Sequence, residues 1–254
     1  MRPIRSAPPE LVTIPLIKRQ PTKACNSGSY KYGRVPESYL MEYLKGKNVI
    51  IVGPAGYLHG KGLGKWIDSF NVVVRINHAI PVEYPEDYGT KTDILYHILS
   101  HRGKNGVHKR LVERWEVELW SKKGLKWLVS RHESLSRRVK QMETVIDGLM
   151  PWVTIHRIFY RKIQGLIGNK NPNTGVIAMM HLLTFPITKL QVTGFDFYES
   201  GVYEGYGDVK KGESAGIINS RWHDSQFQIA YLKKVKRKEH RLMFDEVLTK
   251  ICER

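Results

Sequence analysis

Asn48–Gly53 reads NVIIVG, apolar at every position between its first residue and its closing glycine. A strand with one wet face alternates apolar and polar side chains, so an unbroken apolar run this short suits a strand covered on both faces. Asn71–Asn77 (NVVVRIN) repeats the pattern with β-branched residues. Such strands require helices above and below their sheet, and the chain supplies them in alternation. A short helix over Ser38–Leu44 precedes the first strand, and Gly62–Phe70 reads as the helix after it. Thr92–Ile98 is expected as a third strand. Val107–Lys122 is expected as a helix, from the stripe Val107, Leu111, Trp115 and Leu119. Leu125–Ser130 then reads as strand, Glu133–Ile146 as helix, Thr174–Phe185 as a buried helix and Leu190–Phe195 as the strand it feeds. Arg221–Lys238 and Arg241–Ile251 are expected as closing helices. The fold class is α/β: a Rossmann-like, largely parallel sheet flanked by helices, in a single domain over 38–254. Residues 1–37, with Pro3, Pro8, Pro9, Pro15, Pro21 and Pro36, read as an irregular N-terminal arm.

Composition removes several function classes. Two cysteines, Cys25 and Cys252, exclude a disulfide framework and a Cys-rich zinc module. No apolar run is long enough for a membrane-spanning helix, and the basic N-terminus lacks the apolar stretch of a signal peptide. A cytoplasmic or peripheral-membrane location is expected. The net charge of +17 suits nucleic acid, an anionic membrane face or an anionic small substrate. No helix-turn-helix, zinc-finger or RNA-binding-sheet signature accompanies it, so nucleic acid is not the expected partner.

After the first strand comes Gly53-Pro54-Ala55-Gly56, then Gly60, Gly62, Gly64 and Lys65. Glycines there let backbone N–H groups approach a phosphate or nucleotide. The spacing Gly60-x-Gly62-x-Gly64 fails the dinucleotide fingerprint. Trp66 after Gly64-Lys65 fails the phosphate-loop pattern.

Three segments read together are more specific: 48–79, containing Val52-Gly53, Ile67-Asp68-Ser69 and Arg75-Ile76-Asn77; 171–198, containing Pro172-Asn173-Thr174-Gly175; and 222–234, containing His223-Asp224-Ser225-Gln226-Phe227. Their order and character resemble the long, short and very short motifs of the sialyltransferases of glycosyltransferase family 29. Gly194–Gly201 (GFDFYESG) is also similar to the bacterial sialyltransferases of family 42, which set a tyrosine there, and another several residues on, against the donor phosphate. The chain departs from family 29 at four points. Pro54 replaces the asparagine after Val-Gly that contacts the nucleotide. The cysteines that tie the long and short motifs together fall at about Val49 and Phe185. Tyr203 and Tyr206 stand where the histidine-containing third motif is expected, and no counterpart of the family's transmembrane anchor is expected from the sequence.

The resemblance implies a GT-A-type sialyltransferase variant that moves sialic acid, or a related keto-sugar acid, from its CMP ester to a glycan or glycolipid hydroxyl with inversion. Such a transfer needs a base for the hydroxyl, donors for the departing phosphate and a slot for cytidine and ribose. His223 is the implied base; a free imidazole pKa of about 6.5 suits proton acceptance. Tyr198, with Tyr203 or Tyr206, is the implied phosphate donor. Donor binding is expected from Gly53, Pro54, Ala55, Gly56, Asn77, His97, Asn173, Thr174, Gly175 and Asp196. Asn173–Gly175 precede an apolar helix and so form an N-terminal nest. No cofactor is expected. No Asp-x-Asp occurs, and a CMP donor carries a single phosphate, so the reaction is expected to need no metal. The rival readings are a catalytically degenerate CMP-binding protein and a basic nucleic-acid-binding protein.

Overall fold

The computed structural model describes residues 33–102, 108–130, 136–206 and 223–254. The chain runs β1 (Gly33–Arg34), α1 (Glu37–Leu44), β2 (Asn48–Val52), α2 (Gly64–Asp68), β3 (Val72–Ile76), α3 (Pro85–Tyr88), β4 (Ile94–His97), β5 (Ser100–Arg102) and β6 (His108–Leu111). It continues through α4 (Arg114–Lys122), β7 (Trp127–Ser130), α5 (Ser136–Ile146), β8 (Pro151–Thr154), α6 (Arg157–Leu166), α7 (Thr174–Leu182), β9 (Lys189–Thr193), α8 (Ser225–Lys238), β10 (Leu242–Phe244) and α9 (Glu246–Glu253). Eight strands form one sheet in the order β1-β8-β7-β4-β3-β2-β9-β10, each neighbouring pair parallel. The expected α/β class with a largely parallel sheet is what the chain forms.

Both faces of the sheet are covered, and the strands show it residue by residue. Val49, Ile51, Val72, Val74, Ile94, Tyr96, Trp127 and Val129 point to the face packed by α1, α6, α7, α8 and α9. Their neighbours Ile50, Val52 and Val73 point to the face under α2. Leu95, Leu128 and Trp152 meet α4 and α5 on that same opposite side. This two-residue alternation, apolar in both directions, accounts for the unbroken apolar runs. All nine residues of α7 are buried, as expected for a helix apolar all round. Its His181 is accommodated by the Tyr96 hydroxyl at 2.8 Å and the Glu37 carboxylate.

Several expected boundaries are corrected. Within Val107–Lys122, residues 108–111 form a strand antiparallel to β5, and the helix begins at Arg114. Glu113 and Glu116 make a reciprocal capping box that sets this start. Within Arg241–Ile251, Leu242–Phe244 pair with β9, and Asp245 caps a helix that begins at Glu246. Gly33–Arg34, placed in the irregular arm, extend the sheet edge beside β8. Residues 1–32, and the ends of the helices expected from 133 and 221, lie outside the described residues. Strand β8 and helix α6 carried no sequence expectation. No helix among the described residues is long and apolar enough to cross a membrane.

From β2 the chain moves through β3 and β4 toward one edge. It later returns to lay β9 on the other side of β2. Ligands of open α/β sheets bind outside the carboxyl ends of the strands at such a reversal.

Candidate active site

The three motif segments meet at the N-terminus of α7. Asn77, at the carboxyl end of β3, donates from Nδ2 to Thr174 Oγ1 at 3.2 Å. The Asn173 amide donates to Gln228 Oε1 on α8 at 2.9 Å. His223, just ahead of α8, bonds through Nδ1 to the Asn171 carbonyl at 2.8 Å. A carbonyl only accepts, so Nδ1 carries a proton, and in the neutral ring the lone pair is on Nε2. This bond fixes the orientation of the His223 ring beside Asn173–Gly175. The Asn173 side chain caps α7 by accepting from the Val176 amide at 2.8 Å. The amides of Thr174 and Gly175 head the helix without an intrahelical partner, which makes that end attractive to an anion. A Cβ on Gly175 would lie 2.3 Å from the Phe195 ring, so close packing on β9's exit requires glycine here.

The loop after β2 has a different role from the one expected. Gly53 N donates to Thr193 O (2.8 Å), Ala55 N to Gly194 O (3.1 Å), Gly56 N to Gly201 O (3.1 Å) and Tyr57 N to Ser200 Oγ (3.0 Å). Pro54 has no N–H, and its carbonyl accepts from Tyr203 N at 3.0 Å. These amides are committed within the protein, so Gly53, Ala55 and Gly56 do not offer them to a phosphate. Gly53 is glycine because a Cβ there would sit 2.0 Å from the Gly194 carbonyl. Farther along, the Gly60 and Gly62 amides both donate to the buried Asp87 carboxylate at 2.7 Å. These bonds hold Asp87 below the usual carboxylate pKa. The glycine-rich loop is an anion nest already filled by the chain's own side chain.

The residues after β9 divide. Asp196 is buried and accepts from Tyr198 N (2.9 Å), Ser200 N (2.6 Å) and the Ser200 hydroxyl, so its oxygens build a turn rather than face a donor. That turn forces Phe197 and Tyr198 to φ values of 55° and 72°, and Asn77 sits at 48°. Non-glycine residues in this region are strained, and such strain gathers at functional sites. Tyr198 is half-buried at the sheet's carboxyl edge. Tyr206 is buried, and its hydroxyl donates to the Ile76 carbonyl at 3.0 Å. Tyr203 is buried against Tyr88, Tyr84 and Tyr206, and desolvation pushes its phenol up to about 12. The expectation of a phosphate contact from Tyr203 or Tyr206 is thus corrected to packing beneath the site.

His97 ends β4 with no exposure at all; its Nδ1 accepts from Leu99 N at 2.8 Å. Its Nε2 is buried without a partner, as is Asn77 Oδ1. Burial, with His78 and His101 nearby, holds the His97 ring well below the usual imidazole pKa. His97 packs against the Trp120 ring and is fully buried, unlike an exposed donor contact. His101 pairs with Glu116 at 2.7 Å. Arg75 and Asp68, both in the first motif, are scaffold. Arg75 is fully buried and donates to Thr92 Oγ1 and to the carbonyls of Tyr88, Gly89 and Lys91. Asp68 accepts from the amides of Thr90 and Lys91.

Comparison with known proteins bears directly on this arrangement. The family model for glycosyltransferase family 29 (sialyltransferase) matches residues 42–239. The chain belongs to that family. Over 64 residues this sialyltransferase-family chain is 45% identical to the lactosylceramide alpha-2,3-sialyltransferase of Pan troglodytes, covering 24% of the chain and 17% of that protein. Over 175 residues it is 25% identical to the type 2 lactosamine alpha-2,3-sialyltransferase of Mus musculus, covering 59% of the chain and 50% of that protein. The chain thus spans half or less of these relatives' length. Its fold is that of a mammalian sialyltransferase of known structure, with a TM-score of 0.52 at 14% identity over 78% of this chain and 68% of that one.

Three residues that hold the candidate site together escaped sequence reading. Gln228 is buried and ties α8 to α7. Asn171 bonds His223 through its carbonyl, and its side chain accepts from Gln164 Nε2 at 3.1 Å. Tyr57 donates to Asp245 and accepts from Gly194 N, fixing the carboxyl end of β9. Gln228 sits one helical turn after Asp224, the only sequence signal that pointed to it.

Proposed function

We propose that the protein transfers sialic acid, or a related keto-sugar acid, from a CMP ester to a hydroxyl of a glycan or glycolipid, inverting the anomeric centre without a metal. The observation that carries this is the junction of the three motifs, through Asn77–Thr174, Asn173–Gln228 and Asn171–His223, around one helix N-terminus. His223 Nε2 takes the proton of the acceptor hydroxyl as that oxygen attacks the anomeric carbon. The bond from that carbon to the phosphate oxygen breaks on the opposite face, and CMP departs with the electron pair. The Thr174 and Gly175 amides and the Tyr198 hydroxyl are the donors that meet its growing charge; preoriented donors act most strongly in a water-poor site. The relatives named for lactosylceramide and type 2 lactosamine make a galactose-ended acceptor the first to try.

The test is CMP release from CMP-sialic acid with and without a lactoside, using purified protein. His223→Ala is expected to lower transfer by about 10²–10⁴-fold, while CMP still raises the melting temperature. Wild-type turnover in that variant would overturn the assignment of the base. A second reading, a CMP-binding protein without turnover, is favoured by Pro54 and by the committed amides of the 53–57 loop. It predicts the same thermal shift with neither transfer nor donor hydrolysis.

A further inference from the structure

Two helices beside the candidate site carry no acidic residue. Helix α6 reads RIFYRKIQGL and α8 reads SQFQIAYLKKVKRK. No Asp or Glu occurs anywhere from Gly148 to Phe195. Helix α6 buries Tyr160 and Ile163 and turns Arg157, Ile158, Arg161 and Leu166 to solvent. Ile158 is 72% exposed, Leu166 42% and Phe227 52%. The Phe227 ring covers Gly168, where an added Cβ would meet it at 3.1 Å, two residues beyond Leu166, and Ile158 stands near the start of the same helix. Exposed Lys234 and Lys238 follow Phe227 along α8 at helical spacing, and exposed Lys170 follows α6. The acids at the ends of α8 are engaged, Asp224 in capping Phe227 N and Glu239 with Arg241.

Large apolar side chains gathered on a surface mark an interaction face. A ring of lysine and arginine around them matches the negative potential of an anionic leaflet, within reach of its headgroups. We propose that this face docks on an anionic lipid bilayer, with Ile158, Leu166 and Phe227 entering the headgroup region and the basic side chains of α6 and α8 against the lipid phosphates. His223 stands one turn ahead of Phe227, so docking sets the candidate site at headgroup level, where the sugar of a glycolipid lies. The docking does not depend on the transfer chemistry.

The experiment is co-sedimentation of the full chain with vesicles of phosphatidylcholine alone and of phosphatidylcholine mixed with phosphatidylserine. Binding is expected only to the mixed vesicles. The pair Ile158→Ser and Leu166→Ser, and separately the pair Arg161→Gln and Lys170→Gln, should each weaken it by about tenfold or more. The pair Lys122→Gln and Lys123→Gln, on the other side of the sheet, should leave it unchanged. Melting temperatures and transfer to a soluble lactoside should stay at wild-type values in the α6 variants, which separates lost docking from lost catalysis. Equal loss in the control pair, no vesicle binding at all, or binding of single-stranded RNA with the same variant dependence in place of vesicles overturns the proposal.

Discussion

At the scale of single residues, proton positions are the main determinant. The Asn171 carbonyl fixes the His223 tautomer, and the Leu99 amide fixes that of His97 in the opposite sense. For His97 this has a consequence as pH falls. His97 titrates in the folded state well below its unfolded value of about 6.5, so its contribution to stability is full above that value and is lost as pH drops toward the folded pKa. The unfolding free energy should decline by up to about 1.4 kcal/mol per pH unit below about 6.5. His97→Gln should flatten this slope, as read by urea melts between pH 5 and 7. Tyr198 poses a separate question. If its hydroxyl meets the departing phosphate, Tyr198→Phe lowers kcat more than it raises the KM for the donor, because the bond strengthens as charge leaves. An effect confined to KM would remove it from the chemistry. Residue types such as His223 and Asn173 were legible because the chemistry restricts the choice. The occupancy of each N–H was not, since the partners of Gly53 and Gly56 lie about 140 positions away in the chain.

Among the elements, the α7–α8 contact depends on a single buried amide side chain. Gln228 accepts from Asn173 N and donates to the Asp224 carbonyl at 3.1 Å. Gln228→Leu leaves a buried amide without an acceptor, expected to cost about 1–3 kcal/mol in denaturant unfolding. It should also depress turnover, because it frees the start of the helix that His223 precedes. Conservative replacement at exposed Gln226 should do neither. Elements with a strong period of their own were the readable ones. β2, β3 and α7 are mostly apolar and almost wholly buried because both faces of the sheet are covered. β6 and β10 were hidden because HKRL and LMF are too short to show a two-residue alternation. Each adjoins a real helix whose three-to-four-residue rhythm absorbs it, and only the caps at Glu113 and Asp245 mark the break.

For the whole molecule, the sheet provides a rigid floor, and ligand binding should register on its global stability. CMP is expected to raise the melting temperature more than UDP at equal concentration, since only a ligand that prefers the native state does so. The parallel character of the sheet was foreseeable from the alternation of strand and helix, whereas the strand order and the joining of the two strand exits were not. The segment after β2 and the segment after β9 are zipped together by backbone bonds and by the contact of Gly53 on Gly194, with Ala55 and Val202 paired as a bridge. Neither is an independent module. A chimera that imports one of these stretches from a distant homologue inherits a mismatched half and should misfold, while one that imports both together should remain soluble and cooperative on melting. In the history of such chains the two segments are expected to have changed in step.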